Sequence, residues 1–126
     1  MPQTMILVFQ GQNGTVPLTE WLDYLEEREP RAYQKCLERI LLLSNLGFEL
    51  KRPYADKLRD GIYELRAKIG NVNYRILYFF CGRNQVCLSH GFTKEDKVPD
   101  AEIETAIKRK KLVVRNQDKY TADWEG

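Results

Sequence analysis

Lys57-Leu-Arg-Asp-Gly-Ile-Tyr-Glu-Leu-Arg66, continued through Ala67-Lys-Ile-Gly-Asn-Val-Asn-Tyr-Arg75, is the stretch from which the fold is read. Residues 62–69 alternate. Ile62, Glu64, Arg66 and Lys68 point one way, and Tyr63, Leu65, Ala67 and Ile69 the other, which is the period of a strand with one apolar and one polar face. Gly70-Asn71 supplies a two-residue turn, and a second β-rich run follows, Val72-Asn-Tyr-Arg-Ile-Leu-Tyr-Phe-Phe80. With Gly70 and Asn71 as the whole loop, Ile69 pairs with Val72 and Arg66 faces Arg75. Like charges directly across a strand pair repel, so this arrangement calls for an anion.

Outward from the hairpin, 126 residues make one domain, 1–126, with a sizeable core. A hydrophobic fraction of 43% and a charged fraction of 30% describe an ordinary globular chain, and the net charge of +2 announces no nucleic-acid binder by itself. Distribution says more: basic residues gather at Lys51-Arg52, from Lys57 to Lys68 and at Lys108–Lys111, while 20–29 is acidic. Cys36, Cys81 and Cys87 form no Cys-x-x-Cys pair, and one histidine, His90, builds no zinc spacing. They read as free thiols of a reducing compartment. Met5–Phe9 is too short for export or membrane spanning, so a cytoplasmic protein without membrane contact is expected.

Along the chain, Met5–Phe9 reads as a short buried strand. Pro17 suits a first helical turn, after which Leu18, Trp21, Leu22 and Leu25 form an apolar stripe. Pro30 separates this helix from a second, carried by Tyr33, Leu37, Ile40, Leu41 and neighbouring leucines and ended by Gly47. Residues 48–57 read as an irregular connection, 86–92 as a further strand, and Pro99 opens a last helix with Ile103, Ala106 and Ile107 inward. From about 115 to 126 the chain reads as a frayed tail. The expected fold is α+β: a small, antiparallel-rich four-stranded sheet, with the helical hairpin and C-terminal helix on one face.

Tyr63, Leu65, Ala67, Ile69, Tyr74, Ile76, Tyr78 and Phe80 then form the helix-packed surface. Glu64, Arg66, Lys68 and Arg75 lie on a face expected to be open, because burying unpaired charge is costly. Two readings stand there. Arginines on an open sheet face take phosphate oxygens bidentately, or Glu64 and Arg75 form a cross-strand salt bridge with Arg66 solvated. An even register through the next turn would put Val86, Leu88, His90 and Phe92 on the face of Arg75; a bulge or odd-length turn reverses this. His90 is the group titrating near neutral pH. No phosphate loop, nucleophile elbow or carboxylate cage for a metal is present by sequence. Cofactor and metal are both expected to be absent.

Taken together, Lys57-x-x-Asp60-Gly61-Ile-Tyr63-Glu64-Leu65-Arg66, Tyr74-Arg75-Ile-Leu-Tyr-Phe, His90-Gly-Phe92-Thr-Lys94, Lys97-Val-Pro99 and Glu102-Ile-x-x-Ala106 resemble the RelE/ParE toxin superfamily, in particular its HigB-like branch. The resemblance runs from about Lys57 to Arg109, and the preceding helical hairpin also fits. It implies a toxin of a type II toxin–antitoxin pair: a metal-independent endoribonuclease cutting mRNA in the ribosomal A site, held in check by a helix-turn-helix, HigA-like antitoxin. Residue by residue it implies Arg75, Arg66, Lys94, Glu64 and His90 as catalytic candidates. Lys57, Lys68 and Lys97 are candidates for flanking RNA phosphates. This chain has Lys94-Glu95 where the branch often carries two lysines, and Ile62 and Glu64 where RelE has second-strand lysines. The general base is therefore open between Glu64 and His90. The alternatives are a ParE-like toxin that inhibits DNA gyrase without cleaving nucleic acid, and an inactive binding member.

Overall fold

The hairpin forms in the expected register. In the computed structural model, which describes residues 3–94 and 97–126 (Lys94 through its backbone only), β3 (Tyr63–Ile69) runs antiparallel to β4 (Val72–Gly82), with Ile69 opposite Val72 and Arg66 opposite Arg75. Gly70 carries the positive φ, 60°, that the first position of this two-residue loop requires.

Around the hairpin, β1 is Met5–Phe9, α1 Pro17–Arg28 and α2 Pro30–Leu46, followed by a 3₁₀ turn, Gly47–Glu49. The prolines stand at the helix starts, and Gly47, at φ 54°, caps α2. The buried stripe of α2 is Ala32, Cys36, Ile40 and Leu43; Leu41, expected inward, is exposed. The connection 48–57 contains a strand, β2 (Ala55–Lys57). β5 (Gln85–Lys94), α3 (Asp100–Arg115), a short α4 (Gln117–Tyr120) and β6 (Thr121–Asp123) complete the order. The tail expected to fray is thus built in: β6 pairs with β1, and Phe9 stacks on Tyr120.

Two expectations about the sheet fail. It has six strands, not four, in the order β2-β3-β4-β5-β1-β6, and it is mixed, because β1 runs parallel to β5. Nor do all helices share a face. The hairpin α1–α2 covers Leu65, Ala67, Tyr74, Ile76, Tyr78, Val86 and Leu88. On the reverse side, Ile103, Ala106 and Val113 of α3 close over Ile62, Leu77, Phe79, Cys87 and Phe92. The physical reason is the apolar half of the supposedly open face: Leu77, Phe79 and Phe92 would otherwise lie in water. Polar ties hold the helix there as well. Arg59 donates to Asp60 (2.7 Å), Asp100 (2.6 Å) and Glu104 (2.6 Å), which fastens the loop before β3 to the start of α3. Among the described residues no helix is long and apolar enough to cross a membrane.

Candidate functional site

The charged half of the reverse face is a row of alternating charges running inward from the sheet edge. Alternation on β3 puts Glu64 and Arg66 on this face, and pairing with β2 sets Asp56 opposite Glu64. Arg52 Nη2 contacts Asp56 Oδ2 at 2.9 Å, and Arg66 Nη2 contacts the same oxygen at 3.4 Å. Arg66 Nε donates to Glu64 Oε1, and Arg75 Nη1 approaches Glu64 Oε1 at 3.4 Å and Oε2 at 3.5 Å. The row is therefore Arg52, Asp56, Arg66, Glu64, Arg75: three cations and two carboxylates. The Arg52 guanidinium holds the Asp56 carboxyl below its ordinary range, helped by the Lys57 N–H and by Arg66.

Glu64 is thus the anion that the facing arginines require. The Glu64–Arg75 salt bridge of the second reading forms, but the open face and the solvated Arg66 do not. Glu64 is 1% exposed and Arg75 7%, so neither stands on an open surface. Arg66 is not merely solvated; it bonds both carboxylates. Yet the compensation is incomplete, because the buried Arg75 Nε has no hydrogen-bond partner among the described residues.

The fourth strand of the meander resolves its phase with a bulge. Leu77 pairs with His90, but Tyr78 pairs with Leu88, leaving Ser89 as the extra residue. His90 and Phe92 consequently share the face of Arg75 and Leu77, while Val86 and Leu88 turn into the α1–α2 core. An even register along all of β5 would have put Ser89 and Gly91 into the α1–α2 core in place of Val86 and Leu88.

His90 is committed at both nitrogens. Its Nε2 lies 2.9 Å from Glu102 Oε1 of α3, and its Nδ1 lies 2.8 Å from Ser89 Oγ. Arg109 Nη1 donates to Ser89 Oγ at 3.4 Å and to the Ser89 carbonyl at 3.3 Å. A neutral imidazole satisfies the chain: Ser89 O–H donates to Nδ1, and Nε2–H donates to Glu102. Burial pushes the His90 pKa below 6.5, and Arg109 adds to this against the opposing pull of Glu102. Serine, histidine and carboxylate in contact suggest a nucleophile relay, but Ser89 is fully buried and no substrate carbonyl or phosphorus can reach it. The array anchors α3 to β5.

Of the remaining candidates, Lys68 is exposed on β3 opposite Asn73, and Lys97 is exposed between β5 and α3. Lys57 is exposed on β2 opposite Tyr63, a parity that puts it off the arginine face. The backbone of Lys94 pairs with Asn73, and its side chain lies outside the described residues. Structure thus brings Glu64, Arg66 and Arg75 together and commits His90 instead to Ser89 and Glu102. Sequence reading missed Asp56 and Arg52 in the row, and Ser89, Glu102 and Arg109 around His90. A three-residue strand shows no period, and Glu102 and Arg109 lie on another element, α3.

Comparison with known proteins adds two findings. The family described as "Phage derived protein Gp49-like (DUF891)" matches residues 20–111, a span from α1 through most of α3. Two curated proteins named "Probable endoribonuclease HigB1", from Mycobacterium tuberculosis strains CDC 1551 / Oshkosh and ATCC 25618 / H37Rv, are each 36% identical over 55 residues. That match spans 44% of this chain and 44% of each relative, less than half of either length.

Proposed function

Because the chain belongs to the Gp49-like family of phage-derived proteins, we propose that it is the toxin of a toxin–antitoxin pair, and that it cleaves mRNA. The observation that carries this reading is the charge row itself: three guanidiniums against two carboxylates, ending at a buried Arg75 whose Nε lacks a partner. Such a row retains attraction for one further anion, and an RNA phosphate is the chemically matched one. The partial likeness to proteins named as endoribonucleases supports the same choice.

In this reading the 2′-oxygen attacks the adjacent phosphorus, and the 5′-oxygen departs, leaving a cyclic phosphate and a free 5′-hydroxyl. Arg66, a third of its side chain exposed, contacts the phosphate as charge develops on it. Arg75 lies behind, adding its charge and, through Glu64, holding Arg66 in place. Glu64 is a positioning residue: its carboxylate accepts from Arg66 and faces Arg75. His90 is likewise occupied, so the proton leaves the 2′-hydroxyl to solvent, and solvent reprotonates the 5′-oxygen. Lys68, Lys94 and Lys97 serve as outer phosphate contacts on ribosome-bound mRNA, and a cognate antitoxin restrains the toxin.

The test is primer extension on cellular mRNA after brief induction, comparing wild type with Arg66→Ala. Discrete cuts within translated codons for wild type and none for Arg66→Ala are expected. Growth arrest with intact mRNA and altered DNA supercoiling would overturn the reading in favour of gyrase inhibition.

A further inference from the structure

Phe48 is the most conspicuous side chain that the charge row does not use. The turn Gly47–Glu49 throws it outward, 74% exposed, immediately after α2. Burial in the core is not an option there: Gly47 is wedged against Thr4, where a Cβ would come within 2.1 Å of Oγ1, so the turn is held where it is. Despite its exposure the ring is not loose. It lies 5.0 Å from the Phe80 ring and 6.4 Å from that of Tyr63, and those two rings cross at 86° with centroids 5.3 Å apart.

Beside it is a cavity of about 420 Å³, lined among others by Leu50, Lys51, Arg52, Lys57 and Tyr63. Among the described residues the Lys51 and Lys57 ammonium groups have no ion-pair partner, and both side chains are exposed. The one carboxylate on the rim, Asp56, is already shared by Arg52 and Arg66. The cavity therefore adjoins the outer end of the charge row.

We propose that this cavity is a stacking site for an unpaired nucleobase of the RNA whose phosphate lies on the charge row. A fixed aromatic face flanked by uncompensated cations is the arrangement that binds single strands, the ring taking any base by its π-face and the cations following the backbone. An acidic polypeptide fits the cations equally but leaves the flat aromatic floor unexplained. The inference rests on the RNA reading above. It gives Lys57, which its strand parity removes from the arginine face, a phosphate to bind next to the stacked base.

The experiment uses the full chain and two labelled 12-nucleotide probes: 2′-O-methyl oligouridylate, which 2′-hydroxyl attack cannot cleave, and an abasic strand with the same phosphates. Binding is followed by fluorescence anisotropy. Phe48→Ala should weaken the oligouridylate at least fivefold and leave the abasic strand unchanged, whereas Lys51→Glu/Lys57→Glu should weaken both. The emission of Phe48→Trp should be quenched by the oligouridylate alone. Phe48→Ala binding both probes like wild type overturns the stacking site and leaves the cleavage reading to the primer-extension result. Wild type binding neither probe also overturns it. So does quenching of Phe48→Trp by a glutamate-rich 12-residue peptide and not by the oligouridylate, which would assign the cavity to a polypeptide partner.

Discussion

Gly91 of β5 lies directly against the indole of Trp21 on α1: a Cβ there would stand 2.1 Å from Cε3. Trp21 occupies the space that any side chain at position 91 would need, which lets α1 approach the strand carrying His90 and Phe92 on its other face. Gly91→Ala is expected to cost ~1–3 kcal/mol, the range for an overpacked core. Urea denaturation measures it, and Trp21→Leu in the same chain should recover part of the loss. An additive double mutant would show that the two residues do not compete for space.

The Glu64–Arg75 pair is buried, with side chains 2% and 9% exposed. Removing one partner strands the other's charge, so Glu64→Leu or Arg75→Met alone should destabilise by ~3–5 kcal/mol. With contacts of 3.4 and 3.5 Å, the lower end is expected. Combining the two should cost less than either single change, since no stranded charge remains. A double-mutant cycle with no coupling would disprove the pair as the organiser of the row.

Protonation of His90 is resisted in the folded state. Its folded pKa lies below 6.5, so as pH falls below that value the unfolded chain takes up a proton that the native one refuses. Stability should accordingly be undiminished by this group above pH 6.5 and decline as pH drops toward the folded pKa. His90→Gln should flatten the decline, and Arg109→Gln, which removes the cation next to the ring, should reduce it. A wild-type melting temperature that rises on going from pH 7 to about 6 would reverse the assigned sign.

All three thiols are held protonated by burial: Cys36 is pushed up to about 12, Cys81 to about 11, and Cys87 also rises. The thiolate is the reactive form. Native protein at pH 8 should therefore react slowly with iodoacetamide, and unfolding in urea should release three equivalents. Fast labelling of Cys36 or Cys87 in the native protein would contradict their burial.

Of the site, the facing arginines were legible, because strict alternation and a two-residue turn define a register without reference to anything distant. So were the starts of α1 and α2 and the end of α2, where Pro17, Pro30 and Gly47 act through their own backbone dihedrals. The anion between the arginines was legible only as one of two readings, since Glu64 lies two register positions away and burial decides whether it pairs. Three-residue strands such as β2 and β6 carry no period, and the parallel pairing of β1 with β5 joins segments some eighty residues apart. The phase of β5 followed from neither end of the strand. Val86 and Leu88 before the bulge at Ser89 face the α1–α2 core, whereas His90 and Phe92 after it face α3, so the same parity changes sides there. Which charges are buried was decided by tertiary packing: α3 is drawn onto the reverse face by Leu77, Phe79 and Phe92, while Glu64 and Arg75 are buried as a pair on that same face. Local pattern fixes which way a side chain points, whereas burial depends on what another part of the chain gains by covering it.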